Sequence, residues 1–136
     1  MGRSNPGYQV YQATLRVFGN KLDLKAITRR LGVKPDHAHK KGERRLPTVR
    51  PFRHDSWQLT ARVSDTRPLK AHLRWLAKRL AKKTSFLRGL SAKYEVDVYC
   101  RYHSNYDRGS LEMPPEVLKW CANMGVPIRV SILVQD

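Results

Sequence analysis

The chain has 136 residues, room for one domain around one core, and its 40% hydrophobic content with three Trp excludes a disordered polyelectrolyte. Lys and Arg number 27 against 11 Asp and Glu, a net charge of +16 that does nothing for a fold and speaks of partners: nucleic acid first, then an anionic surface or an acidic protein. No apolar run reaches the roughly 20 residues of a spanning helix, the start MGRSNPGYQV lacks the apolar stretch of a secretory signal, and Pro6 stands where acylation at Gly2 would need Ser or Thr.

In chain order, Tyr11, Ala13, Leu15 and Val17 alternate with Gln12, Thr14 and Arg16, the period of a half-buried strand. LDLKAITRRLG then predicts a helix, with Asp23 as its cap, Leu24, Ile27 and Leu31 on one face and Gly32 as its stop. A basic arm over residues 34–56 follows, which Pro47 and Pro51 are expected to hold extended. Trp57, Leu59, Ala61 and Val63 alternate as a second strand. PLKAHLRWLAKRLAKK spaces Leu69, Leu73, Leu76 and Leu80 by four, three and four, predicting one helix with a narrow apolar stripe. Tyr94, Val96, Val98, Cys100 and Tyr102 mark a third strand, and the turn-rich YHSNYDRGSLEMPP leaves room for a short extra strand at residues 110–113. PPEVLKWCANMG predicts a last helix that opens on Pro and Glu, aligns Val117, Leu118, Cys121 and Met124, and closes at Gly125. Val126, Ile128, Val130, Ile132 and Val134 form the final alternating strand.

Strands buried on both faces would be apolar throughout, so alternation in all four means that one sheet face is covered and the other wet. The expected fold is α+β: a two-layer sandwich with a mainly antiparallel four- to five-stranded sheet and three helices on one face, ferredoxin-like or similar in connection. It is expected as a single domain over residues 1–136, with its core over about 8–135.

The charge is concentrated. Residues 34–53 carry a net +5 and residues 67–88 a net +8, together thirteen of the sixteen. On the predicted helix Lys70, Arg74, Lys78 and Lys82 recur every fourth residue opposite the leucines, with no acid among them. Like charges at that spacing destabilise a helix, which points to a polyanion that compensates them. Trp75 lies off the leucine stripe toward this basic side, where it either packs beneath the neighbouring loop or stacks on a base. The expected nucleic-acid contacts are therefore Lys70, Arg74, Trp75, Lys78, Arg79, Lys82 and Lys83 from the helix, with Lys40, Lys41, Arg44, Arg45, Arg50 and Arg53 from the arm.

Three of the five histidines, His37, His39 and His54, fall within HAHKKGERRLPTVRPFRH. A metal would need further ligands such as Asp36 or Asp55 among repelling cations, so no metal and no cofactor are expected. A metal-free nuclease using these histidines as acid and base is a minor alternative, because no other catalytic motif accompanies them. Near neutral pH they would instead add partial charge beside phosphate and tighten binding in mild acid. Cys100 and Cys121 lack metal-type spacing and fall on apolar faces, as buried reduced thiols of a cytoplasmic protein would.

The pieces DLKAITRRLGVKPDHAHKKGE, LKAHLRWL and LEMPPEVLKWCANMGVPIRVSI, in this order, resemble the bacterial domain of unknown function 4279. The likeness rests on Ile27, Thr28, Leu31, Gly32, Pro35, Gly42 and Trp57, and spans about residues 10–134. It implies a bacterial or phage-type origin, an α+β fold and a single domain, and carries over no catalytic residues. The chain departs from such domains in being far more basic. The expected function is that of a non-enzymatic accessory module for nucleic acid or a nucleoprotein complex, for instance a defence, CRISPR or mobile-element machine. It would contact phosphates with little sequence specificity and have no membrane partner. The alternative is a protein-interaction or inhibitor module for an acidic partner, with homodimerisation through a sheet edge as a further option.

Overall fold

Strand β1 (Gln9–Gly19) is the axis of the sheet, because its inward residues Ala13, Leu15 and Val17 are wholly buried and it pairs on both sides. The computed structural model describes residues 7–135; residues 1–6, including Gly2 and Pro6 of the acylation motif, and residue 136 lie outside the described residues. After β1 come α1 (Leu24–Leu31), β2 (His37–His39), β3 (Asp55–Thr60), α2 (Leu69–Arg79), a 3-10 turn (Ala81–Lys83) and α3 (Thr84–Lys93). The chain then forms β4 (Glu95–Ser104), α4 (Pro115–Met124) and β5 (Ile128–Val134). The spatial order is β2-β3-β1-β4-β5, with β1 antiparallel to β3 and β4, β2 antiparallel to β3, and β5 parallel to β4. The first four strands thus follow the split β-α-β-β-α-β connection, and α4–β5 adds one parallel crossover at the edge.

The class is α+β, with two differences from expectation: the sheet is mixed, and there are four helices among the described residues. The run 68–83 does not form one helix. Leu80 leaves helical geometry at φ −110°, the next turn tightens, and α3 begins at Thr84. All four stripe leucines are buried nonetheless, because the tight turn keeps Leu80 over the core. The extra strand falls at β2 within the arm, and residues 110–113 are not a strand. The caps are local and formed as expected: the Asp23 carboxylate accepts from the Ala26 N–H at 3.0 Å, and Gly32 and Gly125 adopt φ +71° at the ends of α1 and α4.

Residues 11, 13, 15, 17, 57, 59, 96, 98 and 100 of the sheet point into one core with Ile27, Leu31, Leu73, Leu76, Leu87, Val117 and Met124 of the helices. Trp57 is its largest member and is fully buried, and its indole N–H donates to Thr28 Oγ1 at 3.0 Å, so no polar atom of that ring is stranded. Cys100 and Cys121 lie in the same core, where burial pushes the thiols up to about 12 and about 11, so both are protonated and inert at neutral pH. Four residues of the expected apolar faces are outside it. Leu118 faces outward from α4, and Val130, Ile132 and Val134 are exposed because β5 is an edge strand beyond the helix layer. Among the described residues no helix is long and apolar enough to cross a membrane.

Candidate nucleic-acid interface

Helix α2 buries Leu69, Leu73 and Leu76, which turns its opposite side outward. On that outer side Trp75, half-buried, forms the floor of a shallow groove of about 340 Å³ with Val63, Pro68 and Ala71. Arg67, Lys70, Arg74 and Lys78 line the same groove. The indole therefore packs partly against the core and shares the groove lining with the loop residues Val63 and Pro68 and with the cations. Arg67, at the end of the loop that leads into α2, lines the groove although it was not among the residues expected to bind. Lys82 and Lys83 sit on the 3-10 turn, outside the groove lining. Arg79 points elsewhere, donating to the Gly32 carbonyl at 2.6 Å, where it caps the end of α1.

The basic row is not free of acids, contrary to expectation. Arg74 Nε lies 2.9 Å from the Glu116 carboxylate and Lys70 Nζ 3.5 Å from that of Glu112. Glu112 precedes α4 and Glu116 stands in its first turn, each 42 residues further along the chain than its partner. The Glu116 carboxyl is held below its ordinary range, first by its own backbone N–H in the first turn of α4 and then by the Arg74 guanidinium. Such exposed pairs hold little energy, so the two carboxylates bind Lys70 and Arg74 weakly.

The arm is folded back rather than extended. Gly42 turns at φ +90°, its N–H donates to the Phe52 carbonyl at 2.9 Å, and the Phe52 N–H returns to Glu43 at 2.8 Å. Lys40 is committed to structure: its Nζ donates to Asp55 at 2.9 Å and to the Leu22 carbonyl at 2.8 Å. Asp55, 3% exposed, also accepts from the backbone N–H groups of Lys41 at 2.7 Å and Leu22 at 2.9 Å. Those bonds, the Lys41 N–H foremost, outweigh burial and lower the carboxyl to about 2. Arg44 spans the loop tip to the carbonyls of Pro47 and Val49 at 3.2 and 3.3 Å, while Arg45, Arg50 and Arg53 are exposed. The arm leaves β3 at Asp55 and the loop to α2 leaves it at Thr60, so arm and groove start from opposite ends of a strand about 17 Å long. They are two separate patches.

The Asp55 cluster makes a pH prediction. A carboxyl whose folded pKa is depressed contributes stability that is complete above its unfolded value and disappears as pH falls through the folded one. A shift from 3.8 to about 2 is worth roughly 2 kcal/mol. In urea unfolding, Asp55→Asn should be less stable than the parent at pH 5, and the gap should narrow by pH 2.5. A gap of constant size would show that the carboxylate charge is not what matters.

The histidines are brought together without a metal cluster. His37 Nε2 and His39 Nδ1 are 2.6 Å apart on β2, and His39 stacks flat on Phe52 at 3.4 Å between ring centres. The His54 ring lies edge-on to Phe18, while the His54 backbone reaches the His39 ring. Among the described residues no three His, Cys, Asp or Glu side chains gather in a metal-binding group. Burial lowers the pKa of His39, and the neighbouring His37 lowers it further, so His39 resists the charge that mild acid was expected to give it.

The open sheet face holds an unforeseen charge cluster. Asp97, 1% exposed, receives the Arg16 guanidinium through two bonds of 2.8 and 2.6 Å and Arg129 Nε at 2.9 Å. Arg16 also lies over the Tyr99 ring at 4.1 Å. This is a lock between β1, β4 and β5 more than a binding platform, since the guanidiniums and the ring are consumed by one another.

Fold and surface together define a basic α+β domain with a split-βαβ sheet and a cation-lined aromatic groove on its second helix. The chain belongs to the family described as Domain of unknown function (DUF4279), which it matches over residues 9–135. No curated protein and no solved structure matches it significantly.

Proposed function

We propose that the protein is a non-enzymatic nucleic-acid-binding module whose main contact surface is the outer side of α2. The observation that carries this reading is the groove itself: one indole, half-buried, ringed by Arg67, Lys70, Arg74 and Lys78 from a single helix and its leading loop. A base can stack on the indole while phosphates take the place of Glu112 and Glu116. Arg45, Arg50 and Arg53 of the arm supply a second, sequence-independent set of phosphate contacts. The finer role proposed is that of an accessory factor to a larger nucleoprotein machine in the bacterial cytoplasm, a reading that the +16 charge supports.

The test is titration of nuclease-free protein against labelled duplex DNA, single-stranded DNA and RNA at several salt concentrations. Binding in the micromolar range or tighter that weakens steeply with salt is the expected result. No binding at low salt would overturn it. A protein-interaction module is the second reading, favoured by one observation: edge strand β5 exposes Val130, Ile132, Leu133 and Val134. That strand could pair with an acidic partner or with a second copy of the chain.

A further inference from the structure

Helices α1 and α3 do not close on one another, and the gap between them is a groove of about 430 Å³, within the size range of small-molecule sites. Its floor is apolar, formed by the buried Ile27 and Leu90, and the rings of Phe86 and Tyr94 form its walls. Arg30 and Lys93 stand on its rim. The one acid there, Asp23, is already engaged, accepting from the Ala26 N–H as the cap of α1. The Arg30 guanidinium lies over the Phe86 ring, 4.5 Å from its centre, and with Lys93 it outnumbers Asp23, so the groove is net positive.

Gly89 lines this groove from the middle of α3. Nothing in the backbone calls for glycine there, since the residue is helical with no positive φ and a Cβ would meet no atom within 4 Å. Glycine is among the poorest helix formers, so this position gives up helix stability for no gain in packing. What the missing side chain does is leave the groove open.

We propose that the groove between α1 and α3 is a binding site for a small amphipathic organic anion. Its apolar body would rest on Ile27 and Leu90 between the two rings, and its carboxylate, sulfonate or phosphate would meet Arg30 and Lys93. The site is separate from the outer side of α2 and stands or falls independently of nucleic-acid binding.

The probe is anilinonaphthalene sulfonate, followed by its fluorescence on the full chain, with octanoate and octanol as competitors. Gly89→Leu fills the groove without changing charge, so nonspecific attraction to a protein of net +16 is the same in both proteins. The expected results are a loss of affinity of about tenfold or more in Gly89→Leu, a thermal midpoint that stays level or rises, and displacement by octanoate well ahead of octanol. Arg30→Gln with Lys93→Gln should weaken the sulfonate probe while leaving the fold unchanged. Folded Gly89→Leu that binds the probe like the parent would overturn the site. Equal displacement by octanol and octanoate would overturn its assignment to anions.

Discussion

Asp97→Ala is expected to destabilise the fold by about 3–5 kcal/mol, the cost of leaving buried charge without its partner. The carboxylate is 1% exposed and is shared by two guanidiniums, Arg16 from β1 and Arg129 from β5. Removing it places two cations side by side on the sheet, with Glu95 at 3.8 Å from Arg129 as the remaining ion-pair partner among the described residues. Arg16 cannot swing freely into water, because its side chain is 25% exposed and held over Tyr99 and Phe18. Asp97→Asn keeps an acceptor and should lose less. Glu116→Gln provides the contrast: its pair with Arg74 is more than half exposed on both sides and should change stability far less than Asp97→Ala. Denaturant unfolding of the three variants checks the ranking. If Asp97→Ala falls within about 1 kcal/mol of the parent, the cluster is not a lock between strands.

The features legible in the sequence are those fixed by neighbours along the chain. Asp23 and Gly32 delimit α1 because a cap needs only the next few residues, and Pro115 and Gly125 do the same for α4. Alternation located β1, β3 and β4 because each has one covered face. The same alternation misled at β5, where Val130, Ile132 and Val134 have the core pattern yet stay exposed, since burial depends on what the rest of the chain lays over a strand. Helix α3 was missed because Lys83 offers no capping side chain and Gly89 interrupts an already short segment. Strand β2 is three residues long and exists through its pairing with β3 and the Gly42–Phe52 closure, neither of which leaves a periodic trace.

The candidate site divides along the same line. Lys70, Arg74 and Lys78 share a helix face, and spacing alone placed them with Trp75. Their acids did not show, because Glu112 and Glu116 lie 42 residues away and arrive only when α4 packs beside α2. A run of like charge in a sequence thus says where cations are, not whether they are spoken for. Lys40 and Arg79 make the same point: both were expected to bind phosphate, and both are engaged with the chain's own carbonyls.

Those acids give the nucleic-acid reading a test with two signs. Arg67→Gln with Lys78→Gln should weaken binding to any sequence and reduce the salt slope by about 2, close to one unit for each phosphate that is no longer neutralised. Trp75→Ala should cost about 1–3 kcal/mol on single strands, where a base is free to stack, and much less on duplex, whose bases are paired. Glu112→Gln with Glu116→Gln should act in the opposite direction. With the carboxylates gone, Lys70 and Arg74 meet phosphate without first being released, and affinity should rise while the salt slope becomes steeper. Neutralising an acid far from any ligand would raise net charge as well, so Glu95→Gln on the open sheet face serves as the control, with gains compared per carboxylate removed. Gain confined to the Glu112 and Glu116 variant would place the polyanion on α2. Equal gain in both would mean that overall charge, not this groove, draws nucleic acid to the protein.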